Sequence, residues 1–189
     1  MKYVMKKKSS EIISRIVCLC SVLFSVSQPA NTQILFWENF ENKTLGLAWQ
    51  PVSGDWHIGD VQEMRIAPAE NGYGYVLCAN DDGFIRLLVD IPDTIKANQV
   101  KLSFSYYTYS NGPGATIEVE FHKKDLKDGL KGRMSKFILP VKGRWSEFQK
   151  NLKIPAGADI IWVGFSRSNS ANKASKTVCF DNILVSAMH

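Results

Sequence analysis

The chain has 189 residues, with 23 Lys and Arg against 18 Asp and Glu, a formal net charge of +5 and 45% hydrophobic residues. The excess charge is local: Lys2, Lys6, Lys7, Lys8 and Arg15 stand with one acid, Glu11, in the first fifteen residues, and setting them aside leaves 18 basic against 17 acidic residues. Near-neutrality excludes the basic surface that nucleic-acid binding needs, and no apolar run reaches the roughly 20 residues of a membrane-spanning helix.

In chain order, the basic head is followed by "IVCLCSVLFSV", Ile16 to Val26, and by the small polar stretch "SQPANTQ". This is the pattern of a secretory signal peptide, with cleavage after Ser27 or Ala30. Leu19 precedes Cys20, where lipoprotein processing prefers a small residue, so lipid anchoring is disfavoured. Residues 1–33 are assigned to signal and leader and residues 34–189 to one domain, large enough for a core. The expected location is secreted, periplasmic or cell-surface, where disulfides are permitted. Cys78 and Cys179 are the cysteines that remain. They are a candidate bridge, with two buried thiols as the alternative.

The remaining chain is a series of short apolar or alternating runs: Ile34–Phe40, Gly54–Ile58, Glu63–Ala67, Gly74–Ala79, Phe84–Ile91, Gln99–Tyr109, Thr116–His122, Ser135–Val141, Ser146–Ile154, Asp159–Ser166 and Lys176–Ser186. "NGYG", "NDDG", "NGPG", "PVKGR" and "IPAGAD" punctuate them. No apolar stripe of helical period exceeds two turns, and "KKDLKDGLKG" is the only helix candidate. Many strands without interleaved helices predict an all-β fold, a two-sheet antiparallel β-sandwich of jelly-roll type.

Strand parity sorts the side chains. In "ATIEVEFH", Ile117, Val119 and Phe121 face the core, and Glu118, Glu120 and His122 face away. Leu102, Phe104 and Tyr106 are core residues, with Tyr107 and Tyr109 opposite. Ile161, Val163 and Phe165 point inward, leaving Trp162 outside. If "NGPG" closes a hairpin, Tyr107, Tyr109, Glu118, Glu120 and His122 share one solvent face. Trp145 reads as core, Trp49 and Trp56 as edge-packing residues beside a turn, and Trp37 as core or edge. Tyr107, Tyr109 and Trp162 are candidate stacking residues for a sugar ring; the plainer readings are cross-strand packing and loop contacts.

Both ends of the domain carry short motifs. Asn39, Phe40, Glu41, Gly46 and Trp49 open it, and Trp145, Phe148, Pro155, Gly157, Phe180, Asp181, Asn182 and Ile183 close it. Together they resemble the jelly-roll carbohydrate-binding modules of the family-4/family-9 type, with a galactose-binding-like sandwich. The resemblance implies non-catalytic, lectin-like glycan binding and a structural calcium ion held by Glu41 and Asp181. Asn182 stands where many members have a second Asp. The ligand expected is a polysaccharide or other glycan, bound by Tyr107, Tyr109, Glu118, Glu120, His122 and Trp162.

Two other readings compete. One is a structural or adhesive surface sandwich without a small ligand. The other is a small glycosidase using Glu118 and Glu120, since "IEVEFH" is faintly similar to the acidic strand motif of family-16 glycoside hydrolases. Residues two apart on a strand lie about 7 Å apart at Cα, which permits a retaining carboxylate pair. However, His122 replaces the third acid, so no catalytic role is assigned. The three histidines lack zinc-ligand spacing.

Overall fold

A computed structural model describes residues 32–69, 74–80, 82–112, 114–124, 134–167 and 177–188. The expected signal peptide, the helix candidate beyond Lys124 and the Ser/Asn/Lys-rich loop before the last strand lie outside these residues. The described strands are β1 (Thr32–Glu38), β2 (Trp49–Ser53), β3 (Trp56–Asp60), β4 (Tyr75–Ala79), β5 (Phe84–Asp90), β6 (Gln99–Thr108), β7 (Ala115–His122), β8 (Ser135–Leu139), β9 (Trp145–Lys153), β10 (Ile160–Arg167) and β11 (Val178–Met188).

They form two antiparallel sheets, as the alternation predicts. One runs β3-β4-β11-β6-β9, with β1 also paired to β11; the other runs β2-β5-β10-β7-β8. The inward residues meet between the sheets. Ile117, Val119 and Phe121 of β7 and Ile161, Val163 and Phe165 of β10 pack against Leu102, Phe104 and Tyr106 of β6 and Phe180 of β11. Phe165 and Phe180 interlock across the layers with centroids 5.0 Å apart. Burying a side chain of this size contributes roughly 1.5–3 kcal/mol, so the alternation fixes which face each strand presents.

One expected strand is absent and one unexpected strand is present. Glu63–Ala67 is not a strand: the amides of Met64, Arg65 and Ile66 donate to Asp60, Gln62 and Val61 in local turns, and Arg65 takes a left-handed φ of 55°. Conversely, Trp49–Ser53 is β2. Its Pro51 masks it in the sequence, yet β2 is an edge strand paired only to β5, where a missing N–H is tolerated. Trp49 is core, not edge packing: it is 5% exposed and packs on Phe36, Phe40 and Phe165.

Cys78 and Cys179 form a disulfide. They are direct cross-strand partners on β4 and β11, with Cα atoms 4.2 Å apart. The "NGPG" segment does not close a hairpin. It carries the chain from β6 in one sheet to β7 in the other, so the residues on either side of it belong to different layers.

Candidate functional site

The outer face of the five-stranded sheet collects four of the expected residues. Trp162 lies opposite Glu120 on β7 and Leu88 on β5. Gly164 lies opposite Glu118 and Arg86, and Ile160 opposite His122 and Asp90. Parity therefore sets Glu118, Glu120, His122, Trp162 and Arg86 side by side. Lys136 of β8 extends the row, its Nζ 2.9 Å from Glu118.

These groups are mutually engaged. The His122 ring stacks on Trp162 with centroids 3.7 Å apart and planes 25° apart. From β5, on the flank of β10 opposite His122, the Arg86 guanidinium lies 4.2 Å from the indole centroid and 5.4 Å from the Phe84 ring. Such contacts are worth about 0.5–2 kcal/mol each. Gly164 makes room for Phe84: a Cβ there would lie 2.4 Å from its ring. Glu120 meets His122 Nε2 at 3.0 Å, and His122 is only 8% exposed. Trp162 is thus on the expected face of the sheet, but it is not a bare platform. Its faces carry Arg86 and His122.

Tyr107 and Tyr109 do not join this row. They stand on the outer face of the other sheet, with Tyr109 5.1 Å and Trp145 5.6 Å from the Tyr107 ring. Together with Met64 they cover a small apolar cluster of Val61, Ile66, Val76, Cys78 and Cys179. Burial is the main reason the Tyr107 hydroxyl is pushed above the usual tyrosine range, with the Tyr109 charge second. Trp145 belongs to this satellite cluster rather than to the inter-sheet core, and its Nε1 donates to the Ala67 carbonyl. The expected six-residue platform is therefore split between two opposite faces, because the link between β6 and β7 crosses the sandwich.

The acidic residues near the start and end of the domain occupy the β1–β11 side. Glu41 Oε1 accepts from the amides of Gly74 (2.9 Å) and Tyr75 (3.2 Å). Glu38 Oε1 accepts from Asn39 and Phe40. Asp181 is fully buried. Its Oδ1 accepts from the Asn182 amide at 2.7 Å, while Oδ2 is buried without a hydrogen-bond partner. Burial is the largest cause of the rise in its pKa to about 7; the Asn182 amide opposes it, and Glu41, Glu147 and Glu38 add to it. Among the described residues no three His, Cys, Asp or Glu side chains group closely enough to hold a metal by themselves.

A further feature was not anticipated from the sequence. Where edge strands β8 and β9 face each other, the sandwich opens into a cleft of about 790 Å³. Phe137 and Phe148 pack edge-to-face across it, 5.4 Å apart, and Lys136, Lys142, Arg144 and Lys150 line it. The signal available in the sequence was the spacing of bases from Lys136 to Lys150 against one acid, Glu147.

No protein-family model matches the chain. No curated protein matches it. Solved structures do. A xylan-binding domain, CBM22-2 of Paenibacillus barcinonensis Xyn10C, superposes with a TM-score of 0.57 at 13% identity over 82% of this chain and 99% of that one. TmCBM61, solved with β-1,4-galactotriose, gives 0.52 at 16% identity over 78% and 92%. The K2 cleaved adhesin domain of Lys-gingipain gives 0.51 at 20% identity over 81% and 99%. The chain also spans 20% of the enzymatically active domain of a bacteriophage CBA120 tailspike protein. At these identities the likeness establishes the sandwich fold.

Proposed function

We propose that the protein is an exported, non-catalytic glycan-binding module that uses the outer face of the five-stranded sheet. The observation that carries this is the in-register row of Arg86, Trp162, Glu118, Glu120 and Lys136 on one face. Carboxylates and a guanidinium fork are strong, directional partners for sugar hydroxyls. The Arg86–Trp162–His122 stack holds them in place, so polar recognition takes the part first given to open stacking. The likeness to a xylan-binding domain and to a module solved with galactotriose supports the reading. Glu118 and Glu120 are each tied to a base, Lys136 and His122, which suits hydroxyl recognition better than proton transfer.

The test is affinity electrophoresis in xylan, β-1,4-galactan and a panel of other polysaccharides. Retardation should weaken about tenfold in Glu120→Ala and Arg86→Ala, about 1.4 kcal/mol each. Tyr107→Ala should leave binding unchanged and lower the melting temperature, because it uncovers the satellite cluster. Absence of retardation in every polysaccharide overturns the reading. Release of reducing sugar that disappears in Glu118→Gln would replace it with a glycosidase.

A second reading has its own support. The flat faces of Trp162 are already covered, and the fold resembles a cleaved adhesin domain. A structural or adhesive module would bind no polysaccharide and retain the same stack.

We also propose calcium at Glu41 and Asp181. The fit rests on the buried, unpartnered Oδ2 of Asp181 and on nearby Glu41, a hard-oxygen set of the kind calcium takes. The two carboxylates would need main-chain carbonyls to complete the set. The ion would supply the positive charge that lets Asp181 ionise. Export completes the proposal: the mature protein should begin after Ser27 or Ala30, as N-terminal sequencing of the secreted product would show.

A further inference from the structure

The cleft between β8 and β9 meets the sheet face at Lys136, but the rest of its lining and its chemistry differ. Its volume of about 790 Å³ falls in the range of small-ligand sites, roughly 300–1,000 Å³. The floor is apolar and fixed: Phe148 stacks on core Phe104 with centroids 4.7 Å apart and meets Phe137. Tyr106 and Ser146 supply hydroxyls to the lining.

Four cations line the cleft. Lys136 is paired with Glu118 on the sheet side, and Lys150 Nζ lies 6.0 Å from the Phe137 ring centroid. Lys142 and Arg144 are exposed and have no ion-pair partner among the described residues. The turn between them is fixed. Gly143 has a φ of +67°, and a Cβ there would stand 2.9 Å from Ser110. The one lining acid, Glu147, accepts a hydrogen bond from the Ser105 hydroxyl at 2.5 Å. With four cations against Glu147 and the Lys136 partner Glu118, the cleft presents a net positive charge over an apolar floor. From Arg144 to Lys150 an extended chain covers about 20 Å, a length suited to an oligomer rather than a single ion.

We propose that this cleft binds an acidic saccharide chain, one whose sugars carry carboxylate or sulfate groups. The choice of a saccharide rests on the glycan-binding reading above; the choice of an anionic one rests on the cleft alone. A guanidinium fork and flanking ammonium groups suit periodic carboxylates or sulfates. Hydroxyls and apolar walls suit sugar rings. Setting aside the first fifteen residues leaves a chain close to neutral, without the large net positive charge that nucleic-acid binding draws on.

The experiment is affinity electrophoresis of the purified protein against polygalacturonate, chondroitin sulfate, neutral xylan and a single-stranded DNA of similar charge. The charge-reversed Lys142→Glu/Arg144→Glu variant and Glu120→Ala are run beside it. At least one acidic glycan should bind. Affinity should fall at least about tenfold on double reversal, and strongly between about 50 and about 500 mM salt. Glu120→Ala should weaken retardation in neutral xylan, so that the two sites are read separately. Polygalacturonate and chondroitin sulfate separate carboxylate from sulfate recognition. Should the reversal lower the melting temperature, Lys142→Ala/Arg144→Ala gives the same comparison without new charge. The proposal is overturned if neither acidic glycan binds, if neither double variant weakens binding, or if the DNA binds as tightly as both glycans. Acidic binding without neutral binding would leave the cleft standing and remove the sheet-face site; the reverse result would do the opposite.

Discussion

Asp181 shows most clearly what one residue costs and what it is poised to do. Burial and three neighbouring carboxylates raise it to about 7, above the ordinary value near 3.8 that the unfolded chain keeps. In calcium-free protein its contribution to stability is fully present below the unfolded value and is lost as pH rises toward 7. Acidification from pH 8 to 5 should therefore stabilise the fold through this group, by at most about 1.4 kcal/mol per pH unit. Asp181→Asn should flatten that dependence, as melting temperatures measured in chelator would show. Calcium reverses the sign, because the ion competes with the proton. Its stabilising effect should be larger at pH 8 than at pH 5.5 and absent in Asp181→Ala. Sequence parity placed Trp162 on the outer face correctly. It could not show the covered indole, since Arg86 is a neighbour only once β5 and β10 are paired.

Among the elements, β4 and β11 are joined most firmly. The Cys78–Cys179 bridge closes a separation of 101 residues beneath Tyr107, Tyr109, Met64 and Trp145. A bridge of this kind contributes typically about 2–4 kcal/mol, chiefly by restricting the unfolded chain. Reduction, or Cys78→Ala with Cys179→Ala, should lower the melting temperature by roughly 5–15 °C for a domain of this size, measurable by calorimetry with and without reductant. Most strands were legible because alternation reports a half-buried surface directly. β2 was hidden by Pro51, which breaks the strand pattern but not an edge strand. Glu63–Ala67 mimicked a strand in composition, while its amides had nearer partners within the turn.

For the molecule as a whole, fold class followed from the lack of helical periodicity, whereas sheet order did not. Whether β6 and β7 pair or lie in opposite layers is decided by long-range register, and that decision separated Tyr107 and Tyr109 from Glu118, Glu120 and His122. The same register sets how the domain would respond to tension. Thr32 of β1 lies directly opposite Met188 of β11, so a pull on these two residues loads the β1–β11 ladder one pair at a time. β1 would unzip at low force, and β11 would follow only as far as Cys179. Only residues 32–78 and 179–188 could then extend, roughly 190 Å of chain at full stretch. The interval behind the bridge, residues 79–178, would bear no load. Single-molecule stretching should record this short extension, and reduction should add roughly 340 Å to it. A domain built this way would lengthen under shear while the sheet face and the β8–β9 cleft stay within the shielded interval.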